Sequence, residues 1–298
     1  MSRTRVSDRP APVSRLYLLD KPAGISSFAA LGALKRALGT GKVGHAGTLD
    51  PFATGLLIAV SGKLTKTAGM LTGMDKEYQA VFRFGQETDT LDTEGSIIAE
   101  ETLPEWNAIL KASNRFQGQI IQVPPAFSAV KINGKRAYAS AREGLDVSMP
   151  SREVTIHEMT LVSWNPPDLT VHIRCSKGTY IRSLARDLGL ASGSRAHCLS
   201  LRRTAVGPFS VEEACLPEDV REEDGQDSAA FFKYLGINSI KVNETAARAL
   251  RVGMPPNRIP ELPDISAGSV LFIDPLGKPV ALLEKSGEHA VYKIVFDS

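Results

Sequence analysis

Apolar residues recur along this chain either every second position or every three to four, so both strands and helices are predicted. "RLYLL" (15–19) reads as a short strand that runs into a Lys-Pro-Ala-Gly turn. In "SSFAALGALKRALG", Phe28, Leu31, Leu34 and Leu38 fall at helical intervals, with Ser27 as the expected N-cap and Gly39 as the stop. "GHAGTLDPFATG" (44–55) reads as a loop before the strand "LLIAV" (56–60). "KEYQAVFRF" (76–84) sets Tyr78, Ala80, Phe82 and Phe84 on one face of a strand, and the loop "GQETDTLDTEG" follows. A helix is expected over 104–118, with Trp106, Ile109, Leu110 and Ser113 on one side.

Further on, Asn133-Gly134 predicts a hairpin turn within 127–138. "REVTIHEMTLVSW" and "DLTVHIRCS", divided by Asn-Pro-Pro, read as two long paired strands. "TYIRSLARDLG" starts a helix capped by Thr179, with Ile181, Leu184 and Leu188 inward and Arg182 and Arg186 on another face. The last part supplies one short helix ("TAARALRVG") and three strand runs, "SVLFI", "PVALLEK" and "AVYKIVF". Strands and helices mix without βαβ alternation, so the expected class is α+β with a largely antiparallel central sheet flanked by helices.

Charge refines this picture. Between Phe209 and Ser228 lie eight acids against the single base Arg221, although the whole chain of 298 residues carries only +2. The remainder is therefore basic, which is compatible with a polyanionic partner and equally with an ordinary solvated surface. The expected organisation is a disordered arm over 1–14, a main domain over 15–210, an acidic linker over 211–240 and a small β-rich domain over 241–298. The composition, 43% hydrophobic and 23% charged, is that of an ordinary globular protein and excludes little. No apolar run is long enough to span a bilayer and no signal peptide is evident, so a soluble cytoplasmic protein is expected. Three cysteines without ligand spacing make disulfides and structural zinc unexpected.

Several chemistries fail on spacing. "GTGKV" (39–43) lacks the first glycine and the Ser/Thr of a phosphate-binding loop, having Arg36 and Val43 there. The acids of "TDTLDTEG" do not alternate as calcium ligands do. "GHAGTLDPFATG" is compatible with ordinary turn chemistry around Asp50, or with phosphoryl transfer, although the second aspartate common in such sites is absent.

Seven segments in order change that balance: "LLDKPAGISS", "KVGHAGTLDPFATGLL", "KEYQA", "TDTLDTEG", "QVPPAFSAVKINGKRAYASAREG", "CSKGTYIRSLARDLG" and "HCLSLRRTAVGPF". Together they resemble the TruB family of bacterial tRNA pseudouridine synthases over residues 15–210, and the last domain resembles a PUA-type RNA-binding module. The resemblance implies the pseudouridine synthase fold and isomerisation of the T-loop uridine at position 55 of tRNA, by base flipping, cleavage of N1–C1′, rotation and rejoining through C5. It implies Asp50, Tyr78 and Arg182 as catalytic residues, and Lys76, Tyr180 and Leu201 as the lining of the substrate pocket. It implies RNA contacts by His45, Asp92, Lys131, Lys135, Arg136, Arg142, Arg152 and Arg202, several of them in a thumb insertion over about 124–152. The expected partner is the T-arm of tRNA, met by a monomer without guide RNA, metal or cofactor. The competing readings are the related RNA-guided synthase and a non-catalytic RNA-binding or tRNA-folding module.

Overall fold

The computed structural model describes residues 13–128, 131–132, 135–136, 149–265 and 267–296. Strand β1 (Arg15–Lys21) leads through the Lys-Pro turn into helix α1 (Ser27–Ala37), then β2 (Val43–Ala46) and β3 (Thr54–Ser61). A short helix, α2 (Ala68–Thr72), precedes β4 (Lys76–Phe84), and β5 (Gln86–Thr88) pairs with β6 (Ile97–Glu100) beside it. Helix α3 (Trp106–Ser113), β7 (Gly118–Gln122) and the small pair β8 (Lys131–Ile132) and β9 (Lys135–Arg136) follow. The long hairpin β10 (Arg152–Asn165) and β11 (Asp168–Cys175) then leads to helix α4 (Ile181–Ala191), strand β12 (Ala196–Val206) and the short β13 (Phe209–Ser210) that pairs with it.

The central sheet runs β7, β10, β11, β4, β12, β3, β1, with β2 also on β3. Every pairing named here is antiparallel except β12 with β3. The mixed, largely antiparallel sheet expected of an α+β protein is therefore present. β1 and β3 are buried on both faces, which is why they read as continuous apolar runs and not as alternating ones. Tyr17, Leu19, Leu57 and Ala59 face the core shared with α1 and α4, while Leu16, Leu18, Leu56, Ile58 and Val60 face a second core.

That second core corrects the expected linker. Residues 211–240 include β14 (Gln226–Asp227), which pairs with β1, and helix α5 (Ser228–Tyr234). Phe231 and Phe232 of α5 are fully buried against Leu16, Leu56 and Ile58. The acids that suggested a solvated tether occupy the outer side, and the apolar residues "AAFF" that follow them anchor the segment. Beyond it, β15 (Ser239–Lys241), helix α6 (Glu244–Arg251), β16 (Gly268–Ile273), β17 (Pro279–Ser286) and β18 (His289–Val295) form a four-stranded sheet with one helix. Leu271, Leu282, Ile294 and Phe296 of this module enter the same second core.

Other local expectations shift. Ser26, not Ser27, caps α1, accepting from the Ala29 N–H, and Phe28 is 70% exposed. Tyr180 occupies the N-cap position of α4, while the Thr179 hydroxyl donates to the Ser176 carbonyl. The predicted helix over 104–118 stops at Ser113, leaves Leu110 exposed, and gives way to β7. Residues 44–46 and 54–55, expected in a loop, belong to β2 and β3. Of the expected N-terminal arm, residues 1–12 lie outside the described residues, while Val13 and Ser14 are tied to Ser61 and Lys63.

Candidate active site

The loop between β2 and β3 is held from several sides before any reactive group is considered. The Ser27 hydroxyl, buried at the start of α1, accepts from the Leu49 N–H at 2.8 Å and donates to the Leu49 carbonyl at 3.0 Å. The ammonium of Lys21, fully buried, donates to the carbonyls of Pro22, Ile25 and Pro51, at 2.8, 2.8 and 3.2 Å. An ammonium has three donors, and all three are used. Gly47 turns the chain at φ +80°, where a side chain would be strained. Asp50 is thus presented by a backbone fixed on both sides of it.

Arg182, on the first turn of α4, meets that carboxylate. Its Nε lies 2.9 Å from Oδ2 of Asp50, within ion-pair distance, but the N–H is not aligned into a hydrogen bond. Aligned bonds go elsewhere: Nη1 to the Thr90 carbonyl at 2.7 Å and to Oδ2 of Asp92 at 3.0 Å, and Nη2 to the Phe127 carbonyl at 3.0 Å. Arg182 is 3% exposed, buried along with Ile181 and Leu184 of the same helix. Asp92 is 2% exposed, accepts from the Thr90 hydroxyl and the Glu94 N–H, and follows Leu91 at φ +61°. A buried carboxylate spent on Arg182 is not an RNA-contacting group, and that expectation is corrected. Its place is behind the arginine, which it holds still while Asp50 remains free to leave the pair.

Two concavities meet at Asp50. A cavity of about 310 Å³ is walled by Asp50, Lys76, Tyr78, Tyr180, Arg182, Leu201 and Arg203, among others. A wider groove of about 810 Å³ lies on the other side of the same loop and is lined by Phe28, His45, Asp50, Phe127 and Arg182. All six residues expected to catalyse or to line the pocket therefore surround one small cavity, and His45 lies outside it in the groove.

Neighbours set the protonation of these groups. Burial pushes the Asp50 carboxyl up from its ordinary value, against the downward pull of Arg182, and Asp92 adds to the rise. Burial lowers Lys21 to about 8 against the nearby Asp50 charge, and lowers Lys76 to about 8 with help from Arg203. His45 is lowered by burial and by Arg203, which favours the neutral ring. Tyr78 is raised by burial, with the charge of Arg203 acting in the opposite sense.

The remaining expected RNA contacts separate. Arg152 stacks over the Tyr180 ring, 5.2 Å from its centroid, at the cavity's rim. Arg202 is paired with Asp20 through two bonds of 3.0 and 2.7 Å, so its charge is already met within the protein. Lys131, Lys135 and Arg136 lie in β8 and β9, with Lys131 opposite Arg136, the register a two-residue turn requires. Arg142 and the predicted turn at Asn133-Gly134 lie outside the described residues. Among the described residues, no three His, Cys, Asp or Glu side chains converge as metal ligands.

Four contributors escaped the sequence reading. Lys21 and Ser27 sit inside a quoted motif, yet there they read as turn and cap. Gln122, fully buried, grips the Tyr180 backbone through both halves of its amide, at 2.8 and 3.0 Å. Arg203, 1% exposed, donates to the carbonyls of Leu56 and Gly47 at 2.7 and 2.9 Å. A glutamine or arginine in a polar run gives no sequence signal of burial; only the partners across the sheet reveal it.

Residues 35–181 match the N-terminal domain of the TruB family of pseudouridylate synthases, and residues 182–233 match the C-terminal domain of tRNA pseudouridylate synthase B. The tRNA pseudouridine synthase B of Bordetella avium is 47% identical over 210 residues, covering 69% of this chain and 86% of that one. This chain belongs to the TruB family. The TruB protein of Syntrophobacter fumaroxidans, also named tRNA pseudouridine synthase B, is 44% identical over 211 residues, 70% of this chain and 69% of its own. Among solved structures, a Cbf5–Nop10–Gar1 complex contains a chain with TM-score 0.66 and 25% identity, covering 95% of this chain and 85% of that one. The TruB family match thus takes in Asp50, Tyr78 and Arg182, which meet at one cavity.

Proposed function

We infer that this TruB protein isomerises a uridine of tRNA to pseudouridine, and that the target is the T-loop uridine at position 55. The observation that carries the reading is the convergence of Asp50, Arg182 and Tyr78 on one cavity. At about 310 Å³ it lies at the small end of the ~300–1,000 Å³ typical of ligand sites, a size suited to one flipped nucleoside. The adjoining groove then takes the rest of the loop. His45, neutral and lacking a hydrogen-bond partner at Nδ1, is suited to stack where the flipped base had been.

Chemically, the N1–C1′ bond breaks, the uracil turns within the cavity, C5 bonds to C1′, and the C5 proton departs while N1 gains one. Asp50 supplies the anion that either attacks or stabilises positive charge as the glycosidic bond opens. Arg182 keeps it ionised and aimed. Tyr78 stacks on the base, and its hydroxyl takes part in removing the C5 proton, directly or through water, passing its own proton on as it takes that one. Lys76, Tyr180 and Leu201 shape the cavity. Arg152 and the thumb bases Lys131, Lys135, Arg136 and Arg142 hold phosphates.

Identity of 47% to a tRNA pseudouridine synthase B, against 25% to a chain of the Cbf5 complex, favours a protein that acts alone, as a monomer and without guide RNA. The test is purified protein with unmodified tRNA and no added RNA or cofactor, with the modified position mapped. Pseudouridine at position 55 is expected. Modification elsewhere, or only with an added guide, overturns the specific reading.

A further inference from the structure

Arg203 belongs to none of the roles described so far, yet it touches every strand that carries a reactive group. Its backbone lies opposite Tyr78 in the β12–β4 pairing and opposite Gly55 in the β12–β3 pairing. At Gly55 the two chains come so close that a Cβ would stand 2.2 Å from the Arg203 carbonyl oxygen, so only glycine fits there. The residue's main chain is therefore pinned between the strand bearing the tyrosine and the strand into which the Asp50 loop runs.

Its side chain repeats the connection. Nε donates to the Leu56 carbonyl in β3 and Nη2 donates to the Gly47 carbonyl three residues before Asp50. One planar fork thus joins two acceptors on separate segments, while the strand register sets Arg203 beside Tyr78 on the wall of the same cavity. Only arginine presents donors in that arrangement; the donors of lysine leave from a single atom. Its charge is permanent and nearly water-free, in a floor already holding Lys21, Lys76 and His45, whose protons it disfavours. A structural arginine at the sheet's edge would avoid such company. This one tolerates it for what it joins.

We propose that Arg203 is a positioning residue that fixes Tyr78 relative to the Asp50 loop, so that the tyrosine stands where the C5 proton leaves. The proposal rests on the functional reading above, in which Tyr78 takes part in that proton transfer. Glycosidic cleavage at Asp50 and proton loss at C5 then occur on segments tied to the same residue, and loosening it slows the second step more than substrate capture. Besides Arg203, the charged or titratable groups facing Tyr78 are Cys175 and Asp50, and both favour the neutral phenol. Arg203 alone among these acts in the other direction.

The test compares wild type with Arg203→Lys and Arg203→Gln. Measured are tRNA affinity, single-turnover rates with 5-protio and 5-deuterio uridine, and the pH titration of Tyr78 followed by ¹³Cζ resonance, assigned by its loss in Tyr78→Phe. Affinity is expected to hold while the rate falls on the order of 100-fold, the scale of a misplaced reacting group. The deuterium effect is expected to grow, and the Tyr78 titration to move to higher pH, further in Gln than in Lys. Variants that lose rate only in proportion to their folded fraction, with an unchanged isotope effect and titration, overturn the proposal. If neither variant folds, Tyr78→Phe decides from the other side. It keeps the ring beside Arg203 and removes only the hydroxyl, so a single-turnover rate lower by on the order of 100-fold is expected; an unchanged rate overturns the proposal. A wild-type protein that makes no pseudouridine would refute the functional reading instead, and is recognised as such because it fails before any variant is compared.

Discussion

Replacing Asp50 with asparagine removes a carboxylate that the fold holds at a cost, since burial raises its pKa and Asp92 lies close by. Asp50→Asn is expected to lower the isomerisation rate by at least about 1,000-fold, read as tritium release from 5-tritiated uridine. Its Tm at neutral pH should equal or exceed that of wild type, because Arg182 keeps Asp92 and two carbonyls. The sign of the pH effect follows. A carboxyl whose folded pKa is raised binds its proton more tightly in the fold, so the wild type gains stability relative to Asp50→Asn as pH falls toward that pKa. An advantage of Asp50→Asn over wild type that widens with rising acidity would contradict the shift. Lys21 behaves in the opposite sense: its ammonium is lowered from 10.5 to about 8 in the fold, so its stability cost is full below about 8 and is relieved as pH rises toward 10.5. Above 8 the cation near Asp50 is lost and one of its three carbonyls goes unmet, so single-turnover rates should decline through that pH. A rate flat to pH 9.5 would separate Lys21 from the reaction. The reactive residues were legible because their motifs stand out in the sequence. Their supports were not, because the burial of Gln122, Asp92 and Arg203 depends on partners 58, 90 and 147 residues away.

Elements explain which residues can be exchanged. Strand β12 was missed because "AHCLSLRRTAV" places arginines where a buried strand ordinarily has aliphatic residues; one is paired with Asp20 and the other is the buried Arg203. The paired hairpin β10–β11 was legible from its alternation and its Asn-Pro-Pro break. Gly55 illustrates the tightest element contact. Gly55→Ala meets both a φ of +100° and the Arg203 carbonyl, so a loss of about 3 kcal/mol or more is expected in urea unfolding. A loss under about 1 kcal/mol would mean that β3 and β12 can separate there. In the thumb, deletion should begin after Ser128, since the Phe127 carbonyl holds Arg182. Deleting 129–148 is then expected to weaken tRNA binding and flatten its dependence on salt while sparing the ion pair. An unchanged salt slope would place the phosphate contacts elsewhere.

At the scale of the whole molecule, the acidic segment and the terminal sheet are structural partners of the catalytic sheet. Phe232→Ala removes a fully buried ring from the second core and is expected to cost about 3–5 kcal/mol, shifting chemical unfolding of the active-site sheet as well as of the terminal module. Two separated transitions, with the catalytic one unmoved, would show that the core does not couple them. The second core also has an order in time. Leu16 and Leu18 are made first, and Ile294 and Phe296 nearly last, yet they pack into one cluster. During synthesis, which proceeds from the N-terminus, that face of β1 and β3 stays unsealed until almost the whole chain has emerged. Nascent chains arrested before residue 268 should therefore expose it to chaperones and proteases, and become resistant only when the last three strands arrive.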